Sequence, residues 1–245
     1  MHTEKTPLLI GLRAAKANLV PGLVIQAAMV SIVVAYYTQP AVHAWLSVLA
    51  DIKQNGGLVF SAVAAAIAGG VLPEILRITV LQGCKIRREN LGNLVFNIAL
   101  WGFEGMIVDL FYRTQAHIFG SHVDFATVFK KVLVDQFIYT VFFATPFSVG
   151  CYEWKHQNYS LKGMSRVFTL KYYQQKSVPA LIASWGVWIP LVSVVYSLPS
   201  LLQFPLFTLG LTFWVLMLTY VTAAHKKKSA LSFSAPAVNP SPVES

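Results

Sequence analysis

The chain has 245 residues, of which 56% are hydrophobic and only 12% are charged, about half of the charged share that is usual in soluble domains. Nineteen Lys and Arg residues and ten Asp and Glu residues give a formal net charge of +9. These basic residues lie in short clusters between apolar runs, which is typical of membrane proteins and disfavours nucleic-acid binding. The composition therefore predicts an all-α, polytopic transmembrane helix bundle with the lipid bilayer as its surroundings.

About 20 apolar residues are needed for one helix to cross a bilayer. Six stretches approach that length, at 18–37, 58–80, 91–112, 132–151, 178–198 and 204–224. The fifth stretch contains two tryptophans and could instead lie at the membrane surface, because tryptophan favours the headgroup level. We expect five to six spans in a single bundle over residues 1–225. A basic and then disordered tail is expected over 226–245, since it is rich in Ser, Pro and Ala.

The basic residues of the loops predict the orientation of the bundle. With six spans, most of them fall on one side, together with both termini, and this side is predicted to be the inside. Lys130 and Lys131 are exceptions, which keep a five-span arrangement open. Asp51 and Lys53 fall in the predicted loop before the second span, where their charges cancel. A bacterial inner membrane and a mitochondrial inner or peroxisomal membrane fit this pattern almost equally.

The second predicted span contains Ala62, Ala66 and Gly70, with a parallel row of Ser61, Ala65 and Gly69. Small residues four positions apart let two helix backbones approach closely in lipid. Packing between two helices of the same chain is the favoured interpretation. A seam between copies in a homo-oligomer is the alternative.

Charged residues within the predicted spans need partners, because a charge at membrane depth costs about 3 kcal/mol. Three pairs have a suitable spacing of three or four residues: Glu74 with Arg77, Asp109 with Arg113, and Lys131 with Asp135, which Gln136 follows. Glu104 differs from these, because no charge precedes it in its span and its nearest charged neighbour in sequence is the repelling Asp109. Glu104 must face the bundle interior, be protonated or find a base on another helix. It is therefore the best candidate for a pathway residue.

Motifs of enzymes and of metal or cofactor sites are not seen in the sequence. The six histidines fall at span ends or in loops, and the two cysteines form no pair with metal-binding spacing. No nucleophile with a supporting base is visible. We therefore expect no catalytic residue, no metal site and no cofactor.

From about residue 90 onward, the stretch 101–105 combines aromatic residues with glycines and is followed by Phe111 and Tyr112, and 129–136 contains a lysine pair and ends in Asp135 and Gln136. These two stretches resemble the aromatic–glycine helix and the lysine-then-Asp-Gln signature of the Mpv-type family of peroxisomal and mitochondrial inner-membrane proteins. The other matching positions are Glu153, Trp185, Trp188, Pro190, Pro199 and Trp214.

The chain also departs from the family pattern at several positions. Val141 stands where the family has a proline, and Gln203 where it has an arginine. The first span, 18–37, is additional to the usual set. The resemblance implies a small multi-spanning protein without enzymatic activity, associated with the passage of small solutes or ions.

Three functions are compatible with these observations. A channel-like protein for small solutes or ions would use Glu104 in its pathway, with Asp135 and Gln136 at one mouth. A membrane scaffold or assembly factor would instead use the small-residue rows and basic loops to hold a partner protein or anionic lipid. An intramembrane enzyme ranks last, because the sequence shows no catalytic set.

Overall fold

The computed structural model describes residues 6–162 and 164–233, with side chains described as far as Leu216. Within these residues the chain forms seven α-helices and no strand. They are α1 (Pro7–Ala17), α2 (Leu19–Thr38), α3 (Pro40–Leu81), α4 (Arg88–Phe119), α5 (Phe125–His156), α6 (Leu170–Tyr196) and α7 (Ser200–Phe233). A short 3₁₀ helix, Met164–Phe168, precedes α6.

Five helices, α2 to α6, are long and apolar enough to cross a membrane, and the apolar part of α7 at Ser200–Leu216 is shorter. The predicted all-α bundle is therefore confirmed, and its composition is that of an integral membrane protein. The predicted stretches at 18–37, 91–112, 132–151 and 178–198 coincide closely with α2, α4, α5 and α6. The fifth stretch is thus a continuous helix of spanning length.

The second span begins much earlier than predicted. Helix α3 starts at Pro40 rather than near residue 58, so the segment with Asp51 and Lys53 is helical and is not a loop. Proline at the first helical position has no N–H to leave unpaired, which favours a helix start there. Gly57 interrupts the regular geometry with φ +53° and ψ −132°, and α3 therefore consists of two helical parts joined at a kink.

The C-terminal helix continues beyond the predicted sixth span. Helix α7 ends at Phe233, seven residues past the start of the predicted tail at residue 226. The remainder of the predicted tail, 234–245, lies outside the described residues.

The first half of α7 lies at the centre of the bundle. It packs against α2, α3, α4 and α6, and it buries the side chains of Leu202, Phe204, Leu206 and Leu211. The outer faces of the bundle carry exposed large apolar side chains such as Phe142. A protein in water rarely exposes so much contiguous apolar surface, whereas lipid tails can solvate it.

Helices α3 and α4 approach each other along the small residues of the second span. A Cβ built on Gly70 would lie 3.0 Å from the backbone N of Ile98, and one on Gly102 would lie 3.5 Å from the carbonyl oxygen of Ala62 and 3.8 Å from Ala66 Cβ. A Cβ on Gly105 would overlap Ala65. The small-residue rows are therefore occupied by packing within one chain, as close helix contacts in lipid require.

Candidate functional site

A cavity of about 280 Å³ lies between α4, α5, α6 and α7. Its walls combine apolar and aromatic side chains with a small number of polar groups. The polar side chains that line it are Glu104, Asp135, Gln136, Thr140, Thr145, Ser148 and Ser184, and the tyrosines Tyr112 and Tyr139 also line it. Three of the predicted pathway residues, Glu104, Asp135 and Gln136, are thus brought to one place.

The local geometry of α5 places its polar residues around this cavity. Residues Asp135–Ala144 form π-helical turns, and regular α-helix resumes at Thr145–His156, with Pro146 in its first turn. A π-helical turn is wider than an α-helical turn and is frequent at functional sites. In α5 this widened stretch carries Asp135, Gln136 and Thr140 into the cavity wall.

Asp135 is the centre of a buried hydrogen-bond network. Its carboxylate accepts hydrogen bonds from Tyr196 Oη at 2.5 Å, Gln136 Nε2 at 2.8 Å and Thr140 Oγ1 at 3.4 Å. Tyr196 Oη in turn accepts a hydrogen bond from Gln115 Nε2 at 2.6 Å. The network joins α4, α5 and α6 through side chains that are distant in sequence.

The predicted pair between Lys131 and Asp135 does not form. The Nζ atom of Lys131 lies instead over the Tyr196 ring, 5.9 Å from its centroid. Tyr196 thus stands between the two groups, donating its hydroxyl hydrogen to Asp135 while its ring faces the ammonium group. An aromatic face attracts a cation at this distance, which gives Lys131 a partner other than the carboxylate.

Gln136 has a hydrogen-bonding capacity that the protein does not use. Its Nε2 donates to Asp135, whereas its Oε1 is buried and accepts no hydrogen bond from the described residues. Buried polar atoms are usually paired. An unpaired acceptor on a residue of the cavity wall therefore suits a ligand or water that enters the cavity.

Glu104 faces the cavity from α4 and accepts a hydrogen bond from Ser148 Oγ of α5. In the part of the chain that the structure describes, no basic group lies within 4 Å of the carboxylates of Glu104 or Asp135. The expectation that Glu104 faces the bundle interior is thus met, and its partner is a hydroxyl group rather than a base. Two carboxyl groups share one cavity without a neutralising cation.

Polar residues continue from the cavity along α4, where Asn90, Asn97 and Glu104 are spaced seven residues apart. Seven residues are nearly two helical turns, so these residues lie on one face. Tyr152 Oη donates to Asn97 Oδ1 at 3.5 Å, and Asn90 Nδ2 donates to Glu74 Oε1 at 2.5 Å. This polar face extends from the cavity to the N-terminal end of α4.

The predicted pair of Glu74 and Arg77 is not formed. Arg77 Nη2 donates to Glu89 Oε1 at 3.1 Å, near the surface, while the buried Glu74 is held by Asn90. The reason is that the loop after α3 reverses the chain direction, so that the start of α4 lies beside the end of α3. It thereby offers each residue a partner that sequence spacing does not show.

A second buried cluster surrounds Asp109, between α3 and α4. Its Oδ2 accepts hydrogen bonds from Lys53 Nζ and Ser61 Oγ at 2.8 Å each and from Arg113 Nη2 at 3.0 Å. The predicted pair with Arg113 therefore forms, but the buried ion-pair partner is Lys53, which the sequence predicts to lie in a loop. Its distance of 56 residues from Asp109 left no local signal. The only sequence signal for this cluster was that Lys53 and Ser61 are eight residues apart, a spacing that places both on one side of a helix.

Two of the remaining residues that carry the family resemblance, Trp185 and Trp188, contact the walls of the site. Trp185 Nε1 donates to the carbonyl oxygen of Gln136 at 3.2 Å, and the Trp188 ring lies 5.7 Å from that of Phe207 at the cavity. Pro190 is inside α6. Pro199 precedes α7, and Trp214 packs against the core from that helix.

The fold and this site define a multi-spanning helical membrane protein with a polar cavity inside its bundle. Comparison with models of protein families, with curated proteins and with solved structures gives no match. Function is therefore inferred from the site itself.

Proposed function

We propose that the protein is channel-like and passes small solutes or ions, with a preference for cations. The observation that carries this proposal is the cavity between α4, α5, α6 and α7, whose walls include both Glu104 and Asp135 with no basic group of the described residues within 4 Å of either carboxylate. The resemblance to the Mpv-type family supports the same function. Membership of that family is itself part of the proposal.

The chemistry of the cavity favours a positively charged occupant. Acidic side chains are the usual selectivity elements of cation pathways, and their attraction for a cation is strong where water is excluded. The free Oε1 of Gln136 and the hydroxyl groups of Thr140 and Ser184 can replace part of the hydration shell of a cation. Glu104 would select for charge, and Asp135 with Gln136 would line one mouth of the cavity.

This function is tested by the ion conductance of the purified protein in a planar bilayer, with Glu104→Gln beside the wild type. Glu89→Gln is a matched control, since it removes an acid from the same helix, but at an exposed position. We expect stepwise currents whose cation preference falls in Glu104→Gln and is retained in Glu89→Gln. An unchanged preference in active Glu104→Gln protein would exclude this role for Glu104.

A membrane scaffold or assembly factor without transport activity is the second candidate. The region from Lys155 to Lys176, around the connection between α5 and α6, favours it, because its five Lys and Arg residues have no acid between them and suit an acidic partner. The small-residue rows give it less support, since they already pack against α4. Silent bilayers from folded protein, together with a partner recovered from native membranes, would favour this candidate over the channel.

An enzymatic role has less support than either candidate, and we propose that the protein is not an enzyme. The hydroxyl groups of Ser193 and Ser197 donate to the backbone oxygens of Ile189 and Val194. A serine held in this way by its own helix is not poised for nucleophilic attack.

A further inference from the structure

A second, separate pocket lies between the C-terminal half of α5 and the segment that leads to α6. Its volume is about 420 Å³, and its lining is almost entirely apolar. Phe147, Cys151 and Trp154 line it from α5, and Leu161, Met164 and Phe168 line it from the segment. This pocket shares no residue with the polar cavity.

The segment is folded back onto α5 by a left-handed turn. Asn158 and Tyr159 have φ angles of +51° and +61°, and the N–H of Tyr159 donates to the carbonyl oxygen of Trp154 at 2.9 Å. A Cβ on Gly150 would lie 3.4 Å from Val167 Cγ1. The contact at Gly150 closes one side of the pocket, while the rest remains open to the outside.

The same segment exposes large apolar side chains beside the pocket. Leu161 is 78% exposed, Phe168 86% and Leu170 71%. It follows directly on the end of a membrane-spanning helix, so these side chains lie where acyl chains meet headgroups. An exposed apolar patch of this kind marks a site of interaction with lipid or protein, and its position at the end of a span favours lipid.

The charge of this region selects among lipids. Basic residues occur at Lys155, Lys162, Arg166, Lys171 and Lys176, and no acidic residue lies between 154 and 176. Lys162 and Arg166 are exposed and adjoin residues that line the pocket. Clustered basic residues at the membrane surface attract anionic headgroups.

Trp154 adds an unused hydrogen-bond donor to the pocket lining. Its Nε1 is buried and has no acceptor among the described residues. A buried indole N–H usually has a partner. A phosphate or ester oxygen of a bound lipid would supply the missing acceptor.

We propose that this pocket binds an anionic phospholipid. One acyl chain occupies the apolar pocket under Phe168, and the phosphate group lies between Lys162 and Arg166. The site uses none of the residues of the polar cavity and therefore stands independently of the channel function.

The proposal is tested with brominated lipids, which quench tryptophan fluorescence on contact. The full-length protein is reconstituted in phosphatidylcholine with a minor fraction of phosphatidylglycerol. The bromines are carried either by the phosphatidylglycerol or by an equal amount of phosphatidylcholine. The contribution of Trp154 is the difference between wild type and Trp154→Phe. We expect Trp154 to be quenched more strongly when the anionic lipid carries the bromines.

Charge variants then separate a specific site from general attraction. Each basic residue near an anionic headgroup contributes a factor of about five in affinity. Lys162→Gln combined with Arg166→Gln should therefore weaken the anionic preference roughly twenty-fold. Lys85→Gln with Lys130→Gln removes the same charge from exposed positions elsewhere, one in the loop between α3 and α4 and one in the first turns of α5, and should leave the preference unchanged.

Equal quenching of Trp154 by the two brominated lipids would overturn the proposal. It would also be overturned if Lys85→Gln with Lys130→Gln lost as much of the anionic preference as Lys162→Gln with Arg166→Gln. If the Lys162 and Arg166 variants do not fold, the wild type is measured at increasing salt concentration. The anionic preference must then fall, because salt screens exposed charges. A preference that does not depend on salt would also overturn it.

Discussion

Tyr196 and Asp135 are joined by a hydrogen bond of 2.5 Å although they lie 61 residues apart in sequence. The bond connects the end of α6 to the π-helical part of α5 and fixes the carboxylate at the edge of the polar cavity. On its other side, Tyr196 Oη accepts the hydrogen bond of Gln115. A single phenol hydroxyl thus serves two buried groups of two other helices.

Removal of that hydroxyl should be clearly destabilising. Tyr196→Phe leaves Gln115 Nε2 and the Oδ2 atom of Asp135 without their hydrogen bonds to Tyr196, while Asp135 Oδ1 keeps Gln136 and Thr140. A buried group that loses its hydrogen bond costs about 1–3 kcal/mol. We expect a lower thermal unfolding temperature in detergent. Tyr152→Phe is the control, because the hydroxyl group of Tyr152 donates a long hydrogen bond of 3.5 Å to Asn97 and its loss should change stability less. Equal effects of the two variants would contradict the network.

The buried ion pair of Lys53 and Asp109 should be the most sensitive electrostatic contact of the bundle. Lys53→Met leaves a buried carboxylate with one buried partner fewer, and such losses cost about 3–5 kcal/mol. Arg113→Met removes a side chain that is 52% exposed, for which we expect about 1 kcal/mol or less. Thermal unfolding of both variants measures the difference. A larger loss in Arg113→Met would show that the pair with Lys53 is not the principal contact.

Close packing of α3 and α4 predicts opposite effects for two glycines of α4. Gly105→Ala places a Cβ against Ala65 and the backbone of Ser61, and overpacking of this kind costs about 1–3 kcal/mol. Gly92→Ala meets no atom within 4 Å and should stabilise the helix by about 0.5–1 kcal/mol. Unfolding temperatures of the two variants should therefore move in opposite directions. Stability retained in Gly105→Ala would contradict the close approach.

Asp124 should make the start of α5 sensitive to acid. Its carboxylate accepts hydrogen bonds from the backbone N–H and the hydroxyl group of Thr127, which lower the pKa of Asp124 from 3.8. A carboxyl with a lowered pKa in the folded state contributes stability above its unfolded pKa, and this contribution is lost as the pH falls through the folded value. Asp124→Asn retains a capping side chain without the charge. The difference in unfolding free energy between wild type and variant should therefore shrink only below about pH 4. A difference that stays constant down to pH 2 would contradict this role of the Asp124 carboxylate.

The fold was largely predictable because each membrane span is a continuous run of apolar residues in the sequence. The main exception is the first part of α3, which contains Asp51 and Lys53 and which the sequence therefore predicts to be a loop. Lys53 is tolerated in the helix only since Asp109, on another helix, neutralises it. Partners that are distant in sequence leave no trace in a local hydropathy pattern.

Three of the predicted polar residues lie at the cavity, whereas Glu74, Arg77 and Asp109 lie outside it, and two of the three predicted pairs do not form. Glu104 stood out because no neighbour in sequence neutralises it, and the structure places it at the cavity. The pairs Glu74–Arg77 and Lys131–Asp135 were wrong because helical spacing shows only the partners within one helix. Asn90 and Tyr196, which replace them, come from other helices.

The kink of α3 has a mechanical consequence. Lys53 lies four residues before Gly57 and Ser61 four residues after it, and both donate to the same oxygen of Asp109. Hinge bending at Gly57 would draw one donor away from that oxygen, and a hydrogen bond to a charged group contributes about 1.5–3 kcal/mol. The kink at Gly57 therefore holds the two helical parts of α3 at a fixed angle and does not act as a flexible hinge. The two parts of α3 should move as one rigid body until Asp109 is replaced.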